Sequence, residues 1–317
     1  MKNLRFSIRF AFTFAFLLSC CFAAQVRGSI VVGPSRVFVS GVGSDVNPCS
    51  RTAPCRTFQQ AHDVVAAAGE VVVLDAAGYG QVTISKSVSI IGDGVYAGVT
   101  VPAGDGITIN SGTAIVALRN LTINGLGTGT NGVNVTSVGD LHVEGCVISG
   151  FTGFGILVSL AADGSRIFIK DTITRNNNTY GVFIKTSTGT VRASIDNCRS
   201  ERNGLRGFVA ANNSRVTINR SVASGNDGNG FHAFSDVSGA TAELSCEECV
   251  SSNNSFGFAV DAPSGAATIR VSHSTATNNT FTGFAQFSGV FESLGNNLVR
   301  GNPSGDTLGT ITGIALQ

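Results

Sequence analysis

Charge is scarce in this chain, and neither sign prevails. Only 13% of its 317 residues are Asp, Glu, Lys or Arg, and 21 Lys and Arg nearly cancel 20 Asp and Glu. That balance excludes the strongly basic surface by which nucleic-acid binders hold phosphates, so no nucleic-acid partner is expected. Beyond the first two dozen residues no apolar run is long enough to span a bilayer, and no transmembrane segment is expected. Helical periodicity is missing from all but one short stretch, which leaves an all-β chain.

What is abundant is glycine, serine, threonine and asparagine, the residues of strands and tight turns. Seven glycines recur in register: Gly132, Gly155, Gly181, Gly207, Gly230, Gly257 and Gly283, at intervals of 23, 26, 26, 23, 27 and 26 residues. Each is followed by an apolar residue, in order Val133, Ile156, Val182, Phe208, Phe231, Phe258 and Phe284. A period of about 25 residues with constant chemistry marks a stacked solenoid, here of short β runs.

The N-terminus stands apart. Lys2, Arg5 and Arg9 precede an apolar stretch from Phe10 to Leu18, with small residues at Ala23 and Ala24, the pattern of a secretory signal over residues 1–24. Cleavage there predicts an exported protein, periplasmic, surface-bound or secreted. The run Leu17-Leu18-Ser19-Cys20 leaves a lipid anchor on Cys20 as the alternative.

Residues 25–70 read as an N-terminal cap. Cys49 and Cys55 flank a short Pro-containing loop, and in an exported chain they are expected as a disulfide rather than two free thiols. Thr57 and Gln60 form a capping box before Phe58, Ala61, Val64, Val65 and Ala68, which predicts a helix from Thr57 to Ala68 stopped by Gly69. Such a helix would cover the open end of the solenoid, residues 71–317.

From residue 141 the repeats align residue by residue. Leu141-His142-Val143 corresponds to Ile167-Phe168-Ile169, Ala193-Ser194-Ile195, Val216-Thr217-Ile218, Leu244-Ser245-Cys246 and Ile269-Arg270-Val271. Alternation sends the outer members of each triplet inward and the middle one outward. Three residues on stands a column of small residues: Cys146, Thr172, Cys198, Ser221, Cys249 and Ser274. Its cysteines lie two rungs apart, about 9.6 Å, too far for a disulfide, so free buried thiols are expected. Cys246 and Cys249 also form a C-x-x-C, but Cys246 replaces an apolar core residue. An oxidised pair remains the alternative. Asn177, Asn203, Asn226, Asn254 and Asn279 precede the periodic glycines as turn residues, and Phe208, Phe231, Phe258 and Phe284 form a core ladder.

Repeats such as Leu141-His142-Val143-Glu144-Gly145-Cys146-Val147-Ile148 resemble the right-handed parallel β-helix of the pectin-lyase-like superfamily. The segment from Phe38 to Cys49 and Ala53-Pro54-Cys55-Arg56-Thr57-Phe58 resembles the cap region of its exported bacterial members. The resemblance implies work on polysaccharides, as lyases, hydrolases, esterases or epimerases. No Asp-Pro-His-Glu motif of the epimerases is present, and no catalytic residue carries over.

Chemistry would sit on the outward positions of the aligned strand. They form one row Asp140, Arg166, Arg192, Arg215, Glu243 and another Glu144, Lys170, Asp196, Asn219, Glu247. Residues 166–220 hold ten basic groups against three acidic ones, and residues 221–270 six acidic against one basic. A local positive field is thus hidden by overall neutrality. Arg166, Lys170, Arg192, Arg215 and Asn219 are the candidate ligand residues, for an anionic polysaccharide. Asp171 and Asp196, with Arg192, are weak candidates for catalysis, since a glycosidase pair needs a separation of about 5 to 9.5 Å. His62, His142, His232 and His273 share no column, so neither a metal nor a cofactor is expected. A third reading is structural: Leu157, Phe183, Val209 and His232, with Phe234, form an outward apolar stripe suited to a homo-oligomer seam.

Overall fold

The computed structural model describes residues 33–315. The signal segment 1–24, and with it the anchor on Cys20, lies outside the described residues.

Each complete coil contributes one strand to each of three parallel sheets, of twelve, ten and ten strands, the first sheet being extended by Arg36–Val39 and Ile311–Gly313 at its two ends. One-residue left-handed turns join the first sheet to the second, at Asn120, Gly145, Asp171, Asn197, Arg220, Glu248 and His273, with φ between 43° and 63°. A single residue there turns the chain sharply at little cost for Gly, Asn or Asp. A second set from Gly150 to Gly301, including Asn176, Arg202 and Asn253, turns the second sheet into the third.

The register is the one the repeats predict: Asp140 pairs with Arg166, Arg166 with Arg192, Arg192 with Arg215, and Arg215 with Glu243. Leu141, Ile167, Ala193, Val216, Leu244 and Ile269 are buried beneath them. The seven glycines have a steric cause. A Cβ on Gly155 would stand 2.6 Å from the carbonyl oxygen of Gly181, and one on Gly207 2.5 Å from that of Gly230. Successive coils approach too closely there for any side chain.

Cys146, Thr172, Cys198, Ser221, Cys249 and Ser274 form one buried file. Its alternation has a purpose: the Cys146, Cys198 and Cys249 amides donate to Thr172 Oγ1, Ser221 Oγ and Ser274 Oγ at 3.3, 3.1 and 3.0 Å. The thiols are free, and burial pushes those of Cys146 and Cys198 up to about 12. Cys246 faces the core between Ile218 and Val271, with its own thiol pushed up by burial. Phe208 stacks on Phe231 at 5.3 Å and Phe231 on Phe258 at 4.7 Å, while Phe258 meets Phe284 edge-on at 5.6 Å.

At the N-terminal end Cys49 and Cys55 are bonded, their Cα atoms 4.6 Å apart. The helix spans Phe58–Val64, with Thr57 Oγ1 accepting from the Gln60 amide at 3.2 Å, but its capping box is only half formed, since the Thr57 amide donates to Asp45 Oδ1 at 2.9 Å. It ends sooner than its apolar spacing implies, and Gly69 opens the strand Gly69–Val73 rather than stopping a helix. The cause is tertiary: the Ala66 and Glu70 amides donate to Pro34 and Ser35 carbonyls at 2.9 and 2.8 Å, so strand pairing with Arg36–Val39 displaces further turns. Phe58 packs against Tyr79 at 5.1 Å, closing the core.

Candidate functional site

The first sheet presents three outward rows, because five-residue strands such as Arg166–Lys170 turn alternate side chains out. In the leading row the ends are neutralised. Arg166 grips Asp140 with two bonds, Nε to Oδ1 at 2.7 Å and Nη2 to Oδ2 at 2.5 Å. Arg215 Nε reaches Glu243 at 3.1 Å, and Glu243 is shared with Arg270 Nη1 at 3.4 Å. Arg192, exposed between them, has no carboxylate partner among the described residues. These solvated pairs add little stability, and their effect is to mask charge on either side of Arg192.

In the trailing row Arg119 pairs with Glu144 at 3.3 Å, Arg220 holds Asp196, and His273 Nδ1 meets Glu247 at 2.6 Å. Lys170 is exposed and has no carboxylate partner among the described residues. Asn219 lies beside Asp196 in register. The middle row was not singled out from the sequence, although its outward direction was. There the His142 and Phe168 rings stack at 4.8 Å and 17°, followed by exposed Ser194 and Thr217. A flat aromatic platform thus stands beside two unpaired cations.

Asp171 occupies a left-handed corner, where its Oδ1 accepts from Asn197 Nδ2 at 2.6 Å, while Asp196 is engaged by Arg220. A groove of about 730 Å³ opens where the third sheet returns to the first, lined by Ile115, Asp140, Leu160, Ala162, Asp163 and Arg166. Sequence reasoning missed it, because the loop at residues 161–165 breaks the repeat. The groove meets the leading row only at the Asp140–Arg166 pair. The sequence-level basic belt is a ring as well as a face: Arg175 and Arg199 lie on the second sheet, Lys185 and Arg206 on the third.

The apolar stripe on the third sheet needs correction. Leu157, Phe183, Val209 and His232 are in register, but Val209 is only 3% and His232 only 1% exposed. Phe234 packs on His232 at 5.4 Å, Arg206 lies over Tyr180 and Phe234 at 5.5 and 5.2 Å, and Phe154, Tyr180 and Phe183 cluster at 5.3 to 5.6 Å. Of the seam expected through Leu157, Phe183, Val209 and His232, the Val209 and His232 positions are therefore buried, while Leu157 and Phe183 are half-buried.

Residues 71–245 and 131–302 match the family described as "Right handed beta helix region". The chain belongs to this right-handed β-helix family. Among solved structures, this β-helix is similar to the pectate lyase Pel9A, with 14% identity, 90% of this chain and 82% of that chain covered, and a TM-score of 0.44. It is also similar to a rhamnogalacturonan lyase, with 14% identity, coverage of 81% and 72%, and a TM-score of 0.39. No curated protein matches its sequence. Among the described residues no helix is long and apolar enough to cross a membrane, and no cluster of His, Cys, Asp or Glu is arranged to hold a metal ion.

Proposed function

We propose that the outer face of the first sheet binds an anionic polysaccharide without cleaving it. The observation that carries this reading is Arg192, left uncompensated at the centre of a row whose outer arginines are held by Asp140 and Glu243. Lys170 supplies a second free cation, Arg166, Arg215 and Asn219 complete the surface, and the His142–Phe168 stack offers a flat apolar floor for a sugar ring. Strands repeat about every 4.8 Å, close to the rise of one sugar in an extended chain, so one ligand can meet successive rungs. Guanidinium groups suit carboxylates through paired, charge-assisted bonds.

Export from the cytoplasm belongs to the same proposal. It is supported by the signal pattern of residues 1–24 and by the Cys49–Cys55 disulfide, a bond that persists in oxidising compartments. Residues 25–70 would then be the cap of the mature chain and residues 71–317 its binding body.

Retention on immobilised polygalacturonate and alginate tests the reading. Wild-type protein should be retained at low salt and released as ionic strength rises. Arg192→Ala should weaken binding about tenfold or more, from the loss of a charge-assisted bond of about 1.5–3 kcal/mol. Equal retention of wild type and the Arg192→Ala, Arg215→Ala double variant would overturn it, and release of shortened chains would replace the binder with an enzyme.

A further inference from the structure

The third sheet carries a second cluster that the arginine row does not explain. His232 is buried at 1% exposure, yet neither ring nitrogen has a hydrogen-bond partner. Buried polar atoms almost always secure one, because each has given up its water. Phe234 packs on this imidazole at 5.4 Å, and the Arg206 guanidinium lies over Phe234 and Tyr180. Arg206 makes no ion pair among the described residues. Tyr180 and Phe183 are nearly parallel, at 5.3 Å and 15°, and Lys185 Nζ stands 5.8 Å from the centre of the Phe183 ring. An unpaired cation, a flat pair of partly exposed rings and an imidazole with nothing to bond thus meet in one place.

We propose that this cluster is a second ligand site, for a carboxylated sugar ring. Arg206 takes the carboxylate, the Tyr180 and Phe183 rings take the apolar face of the pyranose, and His232 bonds a sugar hydroxyl when Arg206 moves off the aromatic faces. Each feature answers one need of such a ligand. A guanidinium stacked on rings keeps its in-plane donors free for a carboxylate. A neutral imidazole offers one donor and one acceptor, the pair that a hydroxyl matches. The location rests on the third sheet alone; the choice of a sugar over another ring-bearing acid rests on the polysaccharide reading of the first sheet.

The test is titration of the full-length protein, labelled with ¹⁵N-histidine, with trigalacturonate, its methyl ester and benzoate. The His232 signals are those lost in His232→Phe. They should shift saturably with trigalacturonate, both in wild type and in Arg192→Ala, and binding should weaken about tenfold for the ester and for Arg206→Gln. His232 signals that stay still at millimolar trigalacturonate in wild type overturn the site, whether or not any variant folds. Equal response to the ester removes the carboxylate role of Arg206, and equal response to benzoate removes the sugar. The two proposals fail separately: in the Arg206→Gln background, polyuronate retention that Arg192→Ala leaves intact sinks the first-sheet reading, whatever His232 does in wild type.

Discussion

Asn203 and Asn226, 23 residues apart in sequence, are joined through their side chains: Asn203 Nδ2 donates to Asn226 Oδ1 at 2.9 Å, and the Asn203 amide donates to the same oxygen at 3.0 Å. The motif repeats from Asn177 through Asn254 and Asn279 to Asn302, one rung beyond the sequence-level column, and below it Phe151 donates its amide to Asn177 Oδ1 at 3.2 Å. Each interior asparagine satisfies the coil beneath it and depends on the coil above. Asn226→Ala should therefore destabilise by about 2–4 kcal/mol, since it strands buried donors of Asn203. Asn177→Ala, whose Oδ1 accepts from the Phe151 amide alone, should cost less. Urea denaturation midpoints compare the two.

The glycine column gives a sharper contrast. Gly207→Ala would force a Cβ to 2.5 Å from the Gly230 carbonyl oxygen, whereas a Cβ on Gly313 meets nothing within 4 Å. Overpacking of this kind costs about 1–3 kcal/mol, and Gly313→Ala should stay within about 0.5 kcal/mol of wild type. Thermal melts of the two variants decide it, and equal melting temperatures would refute the steric account.

His232 makes stability depend on mild acid. Burial, with the nearby Arg206 charge, holds its imidazole well below the ordinary histidine range, so the folded state keeps it neutral. The unfolded chain takes up a proton below about pH 6.5, which the folded chain refuses, so stability is full above that pH and falls below it by up to about 1.4 kcal/mol per pH unit. Chemical denaturation at pH 7.5 and pH 5.5 should show a loss in wild type that His232→Phe largely removes.

Unmasking the arginine row should strengthen it. Asp140→Asn frees Arg166 and Glu243→Gln frees Arg215, so each should raise affinity for polygalacturonate about threefold to tenfold at low salt. Calorimetry at two salt concentrations measures the gain and its screening. A fall in affinity would mean that the carboxylates, rather than the guanidinium groups, contact the ligand.

The interior thiols should be inert until the fold opens. With Cys146 and Cys198 pushed up to about 12, almost no thiolate exists at neutral pH, and burial blocks access as well. The Cys249 thiol is held down by its hydrogen bond from Cys246 and is protected by burial alone, so alkylation of native protein should leave all four of Cys146, Cys198, Cys246 and Cys249 unmodified, while denaturant exposes them together. Mass spectrometry before and after reduction should find Cys49 joined to Cys55 as the sole pair among them.

Much of this was legible in one dimension because a solenoid maps sequence period onto vertical neighbourhood. The Cys146 file, the phenylalanine ladder and the register from Asp140 to Glu243 all follow from spacing. Other features escaped for definite reasons. Asp171 takes the left-handed corner, and its carboxylate accepts from Asn197 Nδ2, a pairing that spacing alone does not show. His142 and Phe168 hold ordinary outward positions, and nothing in the pattern says that their rings stack. Val209 and His232 also hold outward positions, but both are buried, with Phe234 packed on the His232 ring.

The sequence by itself determined the coil, because recurring glycines, alternating apolar residues and small inward columns permit only one stacking of successive turns. It determined which residues are vertical neighbours. Only the tertiary structure decided which charges cancel, which aromatic rings meet and which outward positions are roofed. Those outcomes depend on where long side chains come to rest across rungs, a choice among rotamers that backbone periodicity leaves open.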